Sequence, residues 1–226
     1  MPTSGHPRRG LIPLALLLAL LLALTAGPAW AGALDDLEES AALDDVASGL
    51  AARGRGDQTG AIKRFTHALE SGRLSPENRA VALNNRGNAH DDLGNSEQAV
   101  EDYSQAVKLV PGFAEAYYNR AFALFKLGRL DDALIDLDRV IALSPHLASA
   151  YFNRSFILLA KGLVARAISD VDKAVQLEPT NAKYRQHLAE LQAAEAKHPP
   201  QEIKRAPQEG KPASPEGQRP PQPRND

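Results

Sequence analysis

Cysteine is absent from all 226 residues. No disulfide, no thiolate metal site and no lipid-modified cysteine behind a leader is therefore available to this protein. A surplus of basic charge is missing too: Lys and Arg number 26 against 28 Asp and Glu, a formal net charge of -2. That balance provides no electrostatic footprint for nucleic acid. Motifs that carry chemistry are also lacking. His6, His67, His90, His146, His187 and His198 are scattered without HExxH or other ligand spacing, and no serine sits in a GxSxG elbow. Gly54-Arg55-Gly56 and Gly60 follow no strand, so they make no phosphate loop. His90 beside Asp91 and Asp92 reads as an exposed helix face, and Asp35-Asp36, Asp44-Asp45 and Asp131-Asp132 read as helix-start charges. The expectation is no enzyme, no metal and no cofactor.

The chain ends are distinctive. Arg8 and Arg9 precede an almost wholly apolar run, Leu11 to Leu24, and Ala29-Trp30-Ala31 then supplies small residues at the positions a signal peptidase reads. The run is about 14 residues, short of the ~20 that cross a bilayer comfortably. A leader over residues 1–31, cleaved after Ala31, is the expectation, with an uncleaved N-terminal membrane anchor as the alternative. Arg-Arg admits a twin-arginine signal, but the rest of that motif is poor. Cleavage removes two arginines and no acid, so the formal charge would move from -2 to -4. A cysteine-free, Ala- and Arg-rich exported chain points to a bacterial periplasmic protein with no membrane span after cleavage. At the other end, residues 197–226 read KHPPQEIKRAPQEGKPASPEGQRPPQPRND. So proline-rich and apolar-poor a segment buries too little surface to offset its ordering entropy, and reads as a disordered tail.

Between the ends the chain repeats. Pro111, Pro145 and Pro179 are evenly spaced, and Gly94, Gly128 and Gly162 keep the same interval, as do Ala99, Ala133 and Ala167. The period is about 34 residues, the length of one helix-turn-helix repeat. A glycine turn inside each unit and a proline closing it define stacked units of that kind. In the middle unit, helix A is expected over Ala114 to Leu127 and ends at Gly128. Helix B then carries Leu134, Leu137, Val140 and Ile141 as its apolar stripe.

On these residues the chain resembles the tetratricopeptide repeat family over units 80–113, 114–147 and 148–181. The resemblance implies an all-α, right-handed solenoid and a protein or peptide partner. A degenerate unit is expected within 32–79: the turn glycine Gly56, then Ala61, Phe65 and Ala68 match the pattern, and Ala42 to Arg55 would be its helix A. There Ser48-Gly49 stands where helix A wants bulk. Ser75-Pro76-Glu77 reads as a fresh helix start. Tyr184, Leu188 and Leu191 fall at i, i+4 and i+7, one amphipathic helix over 182–196 suited to capping the stack.

Two columns follow from the period. Arg86, Arg120 and Arg154 are each followed at one constant interval by an aspartate, Asp102, Asp136 and Asp170, a separation that can meet across an antiparallel helix pair. The degenerate unit holds Ser48 and Arg64 at these places and lacks both partners together. The expected role is a partly buried ion pair that sets helix register. Asn85, Asn119 and Asn153 precede the arginines. Side-chain amides donate and accept at once, so a column of them can hold an extended backbone without reading its sequence. The resemblance implies such an asparagine ladder at this position. Tyr118, Phe122, Phe125, Phe152 and Phe156 are expected on the same inner face as an apolar groove, grading into the polar Asn84, Asn88, Asp91 and Asp92. Chaperone-binding members of the family clamp a C-terminal carboxylate with lysines and asparagines. Here the basic places hold Asn84, Tyr118 and Phe152, so no such clamp is expected. The reading is an exported adaptor that binds an extended peptide segment. The alternative is a structural subunit of an envelope complex that uses helix faces or solenoid ends.

Overall fold

The computed structural model describes residues 28–197, with side chains from residue 37 onward. The apolar run of the leader and residues 198–226 of the tail lie outside the described residues. The described chain is all helix and turn: α1 (Pro28–Gly54) and α2 (Gln58–Glu70), α3 (Pro76–Asp92) and α4 (Ser96–Leu109), α5 (Ala114–Lys126) and α6 (Leu130–Leu143), α7 (Ala148–Ala160) and α8 (Val164–Leu177), then α9 (Ala182–Lys197). Consecutive helices pack on one another, within each pair and from one pair to the next, and α3 also touches α1 and α5, which makes a helical-repeat solenoid. The first helices of the pairs thus share one face.

Local chemistry sets the joints. Gly56, Gly94, Gly128 and Gly162 take φ of 81°, 81°, 74° and 74° at the inter-helix turns, a left-handed conformation that side chains with Cβ resist. At the middle turn, Arg129 N–H donates to Leu124 O at 2.9 Å and so satisfies a helix-end carbonyl. Ser75 caps α3 through Asn78 N–H, with Pro76 in the first turn.

Three elements differ from the sequence reading. The first helix begins at Pro28 rather than near Ala42 and runs through the cleavage position expected after Ala31. Lys197, assigned above to the tail, closes α9. Gly49 is not a missing bulky residue: a Cβ there would lie 2.7 Å from the Phe65 ring, so the aromatic of α2 fills the space. Gly87 stands in the same relation to Tyr103, again at 2.7 Å. The next units hold Ala121 with Leu137 and Ser155 with Val171 at these positions. Helix A shrinks where helix B is aromatic, so the volume between the helices is conserved.

Gly87→Ala therefore tests the packing. Alanine improves helix propensity by roughly 0.5–1 kcal/mol, but overpacking against a fixed ring costs about 1–3 kcal/mol. The Tyr103 ring is buried and its hydroxyl donates to Asn88 Oδ1 at 2.7 Å, so it cannot swing aside freely. Chemical denaturation is expected to show a net loss, and Gly87→Ala combined with Tyr103→Leu is expected to lose less than the two single changes together.

The first pair replaces the missing Arg-Asp pair by another. Arg64 Nη1 lies 3.1 Å from Asp45 Oδ1, and His67 Nδ1 lies 2.5 Å from Asp45 Oδ2. The His67 hydrogen bond, assisted by Arg64, holds the Asp45 carboxyl below its ordinary range. His90 is half-buried rather than on an exposed face. Burial pushes its pKa down, and its Nδ1 has no partner among the described residues. No group of His, Asp and Glu among the described residues is arranged to hold a metal.

Candidate functional site: a groove along the first helices

Repeat register brings the arginine column onto the helix-pair contacts. Arg86 Nε and Nη2 donate to Asp102 at 2.8 and 2.6 Å. Arg120 reaches Asp136 at 2.7 and 2.7 Å, and Arg154 reaches Asp170 at 2.7 and 2.7 Å. All three forks are bidentate, the geometry a planar guanidinium favours. The aspartates are buried, and their hydrogen bonds push each guanidinium pKa further up. The remaining Nη1 turns to the preceding pair: Thr66 Oγ1 at 3.1 Å, Ser104 Oγ at 3.0 Å and Asp138 Oδ1 at 2.5 Å. One arginine thus joins three helices. The ring preceding it by one helical turn completes the setting, with Arg120 5.5 Å from the Tyr117 centroid and Arg154 5.7 Å from that of Tyr151. Tyr117 and Tyr151, two residues before each asparagine, thus lie over the guanidinium groups. The third contact is hidden in sequence because hydroxyl and carboxylate alternate at one position.

The asparagines are bonded between repeats. Asn119 Nδ2 donates to Asn84 Oδ1 at 3.0 Å, and Asn84 Nδ2 donates to Glu115 Oε1 at 3.0 Å. One repeat on, Asn153 donates to the Tyr118 hydroxyl. Asn84 and Tyr118 occupy the same repeat position, so the rung is kept while its acceptor changes. Asn85 has no such predecessor; its Oδ1 accepts from Arg53 Nη1 at 2.8 Å and its amide donates to Val81 O. In α9 the ladder position is His187. Phe152, which holds the acceptor's place there, offers its ring instead, with centroids 5.4 Å apart. His187 Nε2 is left without a partner among the described residues. An amide has two N–H donors and a carbonyl, so each inter-repeat bond orients Asn119 and Asn153 and still leaves capacity at the surface.

The aromatics divide into two groups. Phe122, Phe125 and Phe156 are 43, 38 and 39% exposed, and Tyr118 is half-buried against Phe122 with centroids 5.9 Å apart. Phe152 is only 3% exposed: the capping helix covers it with Tyr184, 4.5 Å between centroids. It is a core residue of the α7–α9 contact that shows one edge to the groove. Around that edge lies a cavity of about 290 Å³, lined by Phe122, Phe125, Phe156, Ile157 and Asn153, with Lys183 of α9 at its rim. A second, polar cavity of about 440 Å³ meets it at Phe122 and is lined by Arg53, Asp91, Asp92, Glu115, Tyr118 and Asn119. Arg53, Glu115 and Lys183 were not legible as groove residues, since two of them come from helices outside the regular units.

A helical-repeat solenoid whose first helices line a groove of amides and half-exposed aromatics is built for contact with another protein. Family models described as TPR repeat and tetratricopeptide repeat match residues 87–128, 114–147 and 148–181. The chain belongs to the tetratricopeptide repeat family. Among solved structures it is similar to MamA (residues 41 to end) from Desulfovibrio magneticus RS-1. Identity is 26% and the TM-score 0.62, covering 70% of this chain and 86% of that one. The first tetratricopeptide domain of Spaghetti (RPAP3), bound to the HSP90 peptide SRMEEVD, is 26% identical with TM-score 0.51, over 53% of this chain and 95% of that one. A tetratricopeptide repeat protein from Parabacteroides merdae shares the fold, at 19% identity and TM-score 0.64, over 70% of this chain and 61% of that one. The curated proteins compared include no match. These likenesses make the chain a protein-protein interaction scaffold.

Proposed function

We propose that this protein is an exported, non-enzymatic adaptor that holds an extended segment of another protein in the groove of α3, α5 and α7. The observation that carries the reading is the cluster of Phe122, Phe125 and Phe156, exposed beside Asn153 around one cavity. Apolar surface of this kind, next to oriented amides, supplies anchors for side chains and bonds for a backbone. A related domain bound to the peptide SRMEEVD supports the same use of the fold. The leader-like N-terminus, with cleavage near Ala31, supports export to the periplasm.

A second reading, a structural subunit of an envelope complex, is favoured by Ile135, 65% exposed on α6, and by an apolar cavity of about 610 Å³ between Val164 and Ala194 at the end of the stack. The two separate on one experiment. A photoreactive group at position 122, activated in the host envelope fraction, is expected to give a discrete crosslinked product. The product should vanish in the Asn119→Ala, Asn153→Ala double variant, whose helical circular dichroism is unchanged. Capture that survives in the folded double variant would transfer the function to the outer face or the ends.

A further inference from the structure

The charge lining the groove is uneven, and it specifies the segment the groove takes. Asp92 is exposed and makes no ion pair among the described residues. Glu115 is exposed and receives only the Asn84 amide. Asp91 is already matched, by Lys126 Nζ at 2.8 Å and the Ser96 hydroxyl at 3.1 Å. Arg53, the cation on the same wall, is held to Asn85 at 2.8 Å. Tyr103 in the floor is pushed well up, by burial first and then by Asp91 and Asp92. At the other end Lys183 Nζ stands 5.0 Å from the Phe152 centroid, so positive charge borders the apolar cavity on the α9 side.

We infer that the groove selects an extended peptide carrying one aliphatic or aromatic anchor with a lysine or arginine on its α3-proximal side. The anchor enters the cavity of Phe122, Phe125 and Phe156, and the cation meets Asp92 and Glu115. Neighbouring helix axes lie about 8–10 Å apart and an extended chain advances roughly 3.3–3.6 Å per residue, so cation and anchor are separated by about three residues. Lys183 fixes the direction by repelling the cation from the other end. Phosphate-bearing ligands meet the same two carboxylates and are rejected. This inference rests on the groove being the working surface, and the experiment separates the two claims.

The full chain is panned against a display library of random twelve-residue peptides, in parallel with a Phe122→Ala, Phe125→Ala variant, which loses the exposed anchors, and an Asp92→Lys, Glu115→Gln variant, in which glutamine still accepts from Asn84. Enriched peptides are expected to pair an apolar residue with Lys or Arg at the stated spacing. Their affinity, read by fluorescence anisotropy, should fall about tenfold or more in the charge variant. Enriched apolar peptides without a basic bias, lost in the Phe variant, would overturn the charge inference and leave the groove standing. Enrichment undiminished in the Phe variant, or none above background, would overturn both.

Discussion

Arg120→Ala is expected to destabilise the protein by about 3–5 kcal/mol, the cost of breaking a buried ion pair from one side. The Asp136 side chain is 3% exposed, so loss of the guanidinium strands a carboxylate that water cannot reach. Three helices lose their tie at once, because the same arginine also bonds Ser104 on α4. At about 2–4 °C per kcal/mol for a chain of this size, the melting temperature should fall by roughly 6–20 °C. Asn119→Ala should cost less, about 1–3 kcal/mol, since it leaves only the neutral Asn84 carbonyl without its donor. Replacing both partners, Arg120→Met with Asp136→Leu, should recover most of the loss, because an apolar pair carries no desolvation penalty. Equal losses for Arg120→Ala and Asn119→Ala would remove the ion pair from its role in setting helix register.

Phe152→Ala is expected to release the capping helix. Phe152 packs on Tyr184 at 4.5 Å and on Phe156 at 5.0 Å between centroids, and Lys183 lies over its ring. Truncating a buried phenylalanine costs about 3–5 kcal/mol, and here the loss falls on one terminal contact. In a solenoid each unit is stabilised by its neighbours, so the damage stays local. Amide hydrogen exchange should show α9 losing protection while α3 and α4 keep theirs. Phe122→Ala should leave α9 protected, because Phe122 faces the open groove. Full protection of α9 in Phe152→Ala would return Phe152 to the ligand-facing set.

The family comparisons and the helix order agree with the repeat reading because the signals behind it are local and periodic. A turn glycine needs positive φ, a proline interrupts a helix, and both recur once per unit whatever the partner. The constant Arg-to-Asp interval is equally plain, since an antiparallel pair of fixed length brings those two positions together. Phe152 illustrates the limit. Its helix position equals that of Tyr118, which is only half-buried, yet Phe152 is covered because α9, beyond the regular units, lies over it. Gly49 departs from expectation for a related reason. The volume at that point belongs to Phe65 on the next helix, and a gap in one helix is visible only with the side chain that fills it.

What the sequence determined by itself is the architecture: one helical pair per repeat, its turns, its arginine-aspartate ties and the position of its asparagine column. These depend on backbone chemistry and on spacings within one unit. Only the tertiary structure decided which amides are bonded to the preceding repeat, which aromatics stay exposed, and that Arg53, Glu115 and Lys183 share the groove. Those features depend on contacts between units and on the irregular helices at the ends, where side-chain volume and charge from distant parts of the chain meet without any period to announce them.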